Sequence, residues 1–350
     1  MRRNGSQMSQ DIQLFDEADL IVKMTKDLKA AASELKKPEV KFLVEAYYRM
    51  QEQRIRFAHQ MRTMKEFGEP NELLDWMFNQ TGSLERMVAG ALDAYSKSNI
   101  VGDWLRSVPG IGPVLAAGLM AHLTTAPWRC KNVALKGKKN TPCTEEMGPC
   151  TDNCGVEDIL YAGQWHSFAG LNPNVVWNAK ERRPWNTPLK TLCFKIGESF
   201  VKVQSHKDDF YGGVFVERKN AEWERNFNGD NVNACEKKLA TRLGKSTNAY
   251  KWYSGQIDAE WARSVWESGN SFPQTIPKKA IVGEGKGTPM LPPAHIHARA
   301  RRYTVKLFLY HLHEVMWIVE RSTNPPQQTF FAESETRIPV PVFPNSPQWS

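Results

Sequence analysis

Long apolar runs are missing from this chain. No stretch of about 18 apolar residues occurs, which excludes a membrane-spanning helix. The opening residues, Met1-Arg2-Arg3-Asn4-Gly5, lead into polar sequence without an apolar leader core, so no secretory signal is expected. That points to a reducing cytoplasm, where the six cysteines are thiols or metal ligands rather than disulfides. Alternating polar and apolar residues are absent from the first hundred positions, so no β-structure is expected there. Motifs of known chemistry are also lacking. There is no G-x-S-x-G, no phosphate-binding P-loop, no H-E-x-x-H and no acidic pair on a predicted strand. Asp208-Asp209 stands at a predicted helix start, where capping is the expected role.

Helix-forming periodicity and positive charge are what the sequence does hold. Lysine and arginine number 46 against 38 acidic residues, a formal charge of +8 that favours an anionic partner. Twelve tryptophans and 41% hydrophobic residues suffice for a packed core. The expected fold class is mainly α. Residues 11–36 read as one helix, with Ile12, Leu14, Ala18, Ile21, Met24 and Leu28 on a stripe. Leu43, Tyr47, Met50, Arg54, Phe57, Met61 and Met64 follow alternating steps of four and three, a coiled-coil-like seam broken by one arginine. Gly68 and Pro70 end that helix. Residues 1–100 are therefore expected to form a helical hairpin, with self-association into a homodimer as one use of the seam. Helices are predicted over 187–204, 208–227, 232–243, 256–267 and 293–321. These fall in a second domain, 101–322, which carries a Cys-rich insertion at 127–163 and a Gly/Lys-rich segment at 268–293 expected to be flexible. Residues 323–350 read as a Pro-rich extended tail.

Three groups of residues point to a polyanion. Pro109, Gly110, Ile111 and Gly112 lie between two helical segments, as in a helix-hairpin-helix. In such a turn, glycines let main-chain amides and a helix start approach phosphate without reading bases. Gly110→Val with Gly112→Val is then expected to weaken duplex binding and leave the fold intact. The bland alternative is a Gly-rich connection that binds nothing. The second group is Trp177, Lys180, Arg182, Arg183, Trp185 and Lys190, cations interleaved with rings that can neutralise phosphate and stack on bases. Either tryptophan can equally serve as a core anchor. The third is the face His295, Arg299, Arg302 and Lys306 of the last long helix, whose other side and C-terminal half are apolar. A solvated charged surface is its alternative reading. His311 and His313 are two apart and point to different sides of that helix, which makes a shared metal a poor fit.

Cys130, Cys143, Cys150 and Cys154 cluster in the insertion, and thiolates so close in sequence are candidates for a structural tetrahedral Zn²⁺. Their spacing lacks paired C-x-x-C, so free loop thiols remain an open alternative. Cys193 and Cys235 read as ordinary buried or partly buried cysteines.

Val108-Pro109-Gly110-Ile111-Gly112, with Ala116-Ala117-Gly118-Leu119 and then Phe168-Ala169-Gly170-Leu171-Asn172-Pro173, resembles the C-terminal domain of the insertion-sequence 110/116/902 transposases. The basic helix opening Ala298-Arg299-Ala300-Arg301-Arg302-Tyr303 is similar to that family's closing helix. The resemblance spans residues 100–320 and implies double-stranded DNA as partner, a phage or mobile-element origin, and a bacterial or phage-infected host cytoplasm. It does not carry over strand-transfer chemistry. The family's acidic RuvC-like nuclease domain has no counterpart in the helical N-terminal region. No serine follows Gly170-Leu171-Asn172-Pro173, where the family has its catalytic one. Three functions stay open: a DNA-binding protein that grips the backbone, a DNA-acting transferase or recombinase-type enzyme that builds groups onto a flipped base, or a structural helical oligomer.

Overall fold

The structure is a computed structural model that describes residues 26–66, 72–126, 159–175, 177–241, 243–326 and 338–347. Among them are twelve α-helices and no β-strand, so the fold is mainly α as expected. None of these helices is long and apolar enough to cross a membrane. The Cys-rich segment with Cys130, Cys143, Cys150 and Cys154, and most of the predicted helix over 11–36, lie outside the described residues.

The chain divides into two compact units. The first comprises residues up to Ser107, Ile111–Thr124 and Asn345 onward; the second comprises Val108–Gly110 and Thr125–Pro344. The boundary thus differs from the one expected near residue 100. The reason is α5, described next, which packs with the N-terminal helices and takes α4 with it.

Unit 1 contains α1 (Lys26–Ser33), α2 (Lys37–Lys65), α3 (Glu72–Ser96), α4 (Ile100–Ser107) and α5 (Pro113–His122). The start of α2 is set by Pro38 in the first turn and by Glu39, whose carboxylate accepts from the Lys36 N–H at 2.7 Å. α2 and α3 pack as a hairpin. Arg54, which interrupts the predicted seam, donates to the buried carboxylate of Glu85 in α3 at 2.5 Å. Phe57, Met61 and Met64 line a small cavity with Leu74 and Met77 of α3. Part of the predicted seam thus faces α3 within the chain. α5 has no polar side: Val114 and Ala116–Ala121 are all buried, because α2, α3 and α4 surround it.

Unit 2 contains α6 (Ala162–Phe168), α7 (Thr187–Lys202), α8 (Tyr211–Phe227), α9 (Val232–Leu239), α10 (Asn248–Tyr253), α11 (Ala259–Glu267) and α12 (Pro293–Arg321). Side-chain caps fix three starts: Asn186 accepts from Leu189 N, Thr247 from Tyr250 N and Asp258 from Glu260 N. α12 is the axis of the unit and packs on α6, α7 and α8. Its second half, from Val305 to Trp317, is buried apart from the half-exposed Lys306, so even its polar residues His311, His313 and Glu314 lie inside. His311 and His313 are satisfied there, His311 by the Tyr211 hydroxyl at 2.9 Å and the Ile338 carbonyl, His313 by the Ile159 carbonyl at 2.7 Å. Cys193 and Cys235 are buried free thiols, as expected.

Two segments differ from the sequence reading. Residues 268–293 were expected to be flexible, yet the loop is stitched to the end of α10. Gly285 N donates to Ser254 O at 3.2 Å, Gly287 N to Gly255 O at 2.8 Å and Met290 N to Trp252 O at 3.0 Å. Met290 and Leu291 are fully buried. The Pro-rich tail is likewise anchored in part: Phe343 is buried, with its ring 6.2 Å from that of Tyr211. Prolines and glycines marked these segments as irregular in backbone, which is a different property from being loose.

Candidate nucleic-acid interface

The loop before α7 is built on two constraints. Gly170 has φ +66°, and a β-carbon on it would lie 2.8 Å from Cγ of Trp185, so the indole lies directly on the glycine. Asn186 N then donates to Phe168 O at 2.8 Å and closes the loop. Trp177 donates through Nε1 to the Glu181 carbonyl at 2.8 Å and meets Trp185 edge-on, with centroids 6.3 Å apart. Neither ring is buried in the core: Trp177 is exposed and Trp185 half-exposed. Each carries a cation. The Arg183 guanidinium lies 5.4 Å from the Trp177 centroid and the Lys190 ammonium 3.8 Å from that of Trp185. Lys180, Arg182 and Arg183 are exposed, and Lys180 sits at φ +78°.

The first half of α12 supplies the other side, and its four residues behave differently. Arg299 is committed to structure: it donates to Glu222 Oε2 at 2.9 Å and to Asn231 Oδ1 at 2.6 Å. Glu222 is buried and also holds Arg218 and Arg225. His295 hydrogen-bonds with the Tyr253 hydroxyl at 3.0 Å. Burial first, then Arg299, Arg302 and Lys238, push its pKa down to about 4, so it is neutral at neutral pH and adds no charge. Arg302 is exposed and Lys306 half-buried, and neither forms an ion pair among the described residues.

The electrostatics join the two sets. The Lys190 ammonium is held below its ordinary value by burial, then by Arg183 and Arg302. Lys306 is lowered by burial, then by Arg302 and Arg218. Arg183, Lys190, Arg302 and Lys306 therefore share one field, although the loop and the helix are far apart in sequence. No carboxylate pairs with any of these four among the described residues. Arg218, which stacks on Tyr303 at 4.6 Å, belongs to the same field and was missed in the sequence. Its spacing to Glu222 was the available signal, since residues four apart share a helix face.

The turn Pro109–Gly112 is half-exposed except for Ile111, which is buried. Gly110 has φ +91°, its carbonyl accepts from Ser199 Oγ of α7 at 2.6 Å, and a β-carbon there would meet Ser199 Oγ at 3.0 Å and Val203 Cγ2 at 3.2 Å. The chain itself demands a glycine at this position. A valine at 110 strains the turn, which removes the expectation of an intact fold for the double valine variant. Gly112 is different: its β-carbon would meet only Arg106 Nη1, at 4.0 Å. Asp209 accepts from Gly212 N at 2.9 Å, the capping role expected of it.

Comparison with known proteins gives no match: no family model fits the chain, and no curated protein or solved structure matches it.

Proposed function

We propose that the chain binds double-stranded DNA by its phosphates, through the face formed by the Trp177–Lys190 loop and the first half of α12. The observation that carries this reading is that α7, which bears Lys190, packs against α12, which bears Arg302 and Lys306, with no carboxylate pairing with any of the three among the described residues. Like charges packed together cost stability. A polyanion laid across them relieves that cost and releases its own counterions, so binding is favoured most at low salt. Trp177 and Trp185 give the cations flat supports, and the exposed Trp177 can meet a base or sugar. The likeness of Val108–Gly112 and Phe168–Pro173 to the transposase C-terminal domain is compatible with DNA as the partner and with a mobile-element or phage origin.

Salt titration of duplex binding tests the reading. The logarithm of affinity should fall linearly with the logarithm of salt, with a slope near −0.9 per neutralised phosphate. Arg302→Ala with Lys306→Ala should weaken binding uniformly across sequences and flatten the slope by about 2. Binding that is absent at low salt, or a slope unchanged in the double variant, rules the face out.

A further inference from the structure

Unit 2 also holds an open cleft of about 730 Å³ that the cationic face does not use. It lies between α8, the end of α11, the 269–272 segment and the start of α12, with Glu198 of α7 at its edge. The volume is that of a small-ligand site, where about 300–1,000 Å³ is usual. Part of the lining is aromatic. Phe272 is stacked on the buried Trp223, with centroids 4.9 Å apart and an interplanar angle of 19°, and Trp266 stands beside them. Lys219, one turn from Trp223 on α8, and His297 and Arg301 of α12 add polar and cationic groups to the lining. Arg301 is fixed by its ion pair with Glu198 and by stacking on Phe194 at 4.1 Å. Lys219 is half-buried and has no ion pair among the described residues.

We infer that this cleft binds a single nucleotide, its base against Trp266 and Phe272 and its phosphate toward Lys219 and Arg301. A flat ring alone leaves Lys219, 6.0 Å from the Phe215 ring centroid, without a counter-ion, and inorganic phosphate alone leaves the rings uncovered. A nucleotide satisfies both, and the side-chain amide of Asn270, one N–H of which donates to Ser268 Oγ at 3.0 Å, keeps its oxygen and second N–H for a base edge. The start of α12 adds to these cations: Pro293 and Ala294 line the cleft, and the first turn of α12 has no acidic residue. The nucleotide comes either from solution or from a strand in which it is turned out of the stack. The second source would rest on the nucleic-acid reading above; the first does not.

Full-length protein is titrated with each deoxynucleoside 5′-monophosphate, with the matching nucleosides and inorganic phosphate as comparison ligands. A second arm uses a single-stranded oligonucleotide with one fluorescent adenine analogue. Saturable binding of a monophosphate, about tenfold tighter than its nucleoside, supports a solution source. Quenching of the analogue in the oligonucleotide without monophosphate binding supports a strand source. In either case Trp266→Ala should weaken the signal about tenfold, Trp266→Phe should restore it, and Lys219→Ala should weaken it similarly. Lys219→Ala keeps the test decisive if the tryptophan variant folds poorly. Neither signal, or a signal unchanged in Lys219→Ala, overturns the inference. Arg302→Ala with Lys306→Ala separates the two readings, since it should lower duplex affinity and leave monophosphate binding as it is.

Discussion

The ammonium of Lys190 stands 3.8 Å from the centroid of the Trp185 ring, and that same ring covers the α-carbon of Gly170. Trp185 is thus both the lid of a glycine turn and the platform of a cation. Trp185→Ala should lower duplex affinity several-fold, since a cation–π contact contributes about 0.5–2 kcal/mol and the lysine loses its support. Trp185→Phe should retain most of it. Equal affinity of the alanine variant, read by fluorescence anisotropy at fixed salt, would detach Trp185 from the interface.

Gly110 and Gly112 should separate sharply. Gly110→Ala forces a β-carbon toward Ser199 and Val203 at φ +91° and should cost about 1–3 kcal/mol, read as a lower urea midpoint. Gly112→Ala meets only Arg106 Nη1, at 4.0 Å, and should unfold like the parent. If Gly112→Ala also weakens duplex binding, the turn contacts phosphate; if its affinity is unchanged, that contact is ruled out at Gly112.

Glu222 is buried beneath three guanidiniums, those of Arg218, Arg225 and Arg299. Glu222→Gln removes the charge that all three share, Asp230 standing only by Arg225 at 3.8 Å, and should cost roughly 3 kcal/mol, the low end for a broken buried pair because all three arginines keep some solvent. Chemical denaturation measures it, and a midpoint within error of the parent would show the arginines to be compensated by water alone.

Acid should weaken the fold over a defined range. His122, His166 and His295 are each pushed from 6.5 down to about 4, in every case first by burial. Between those values the unfolded chain binds protons that the folded chain does not. Their contribution is therefore complete above about pH 6.5 and is lost as pH falls toward about 4. Urea midpoints should decline over that window, and His295→Gln should flatten the decline. Duplex affinity should show no step near pH 6.5 from His295, because its ring is still neutral there.

Much of the helical layout was legible in the sequence because amphipathic periodicity and caps are local. Pro293 to Arg321 was read as one helix and is one, since prolines set its start and a continuous apolar stripe sets its length. The separate roles within that helix were not legible. Arg299 and Arg302 look alike in the chain, yet one is tied to Glu222 and Asn231 and the other is exposed, a difference made by where α8 passes. The same holds for Arg54, whose partner Glu85 comes from the next helix, 31 positions on. The cleft had no sequence signal, because Lys219, Trp266 and Arg301 come from three segments with no common spacing.

By itself the sequence determined the helical class, the excess of cations and the glycine turns, for these depend on residue type and near-neighbour spacing. Tertiary structure decided which cations cluster, which glycine serves packing and which rings face solvent. Those properties depend on pairwise distances across the fold, and charge interaction and burial both vary with distance rather than with order along the chain.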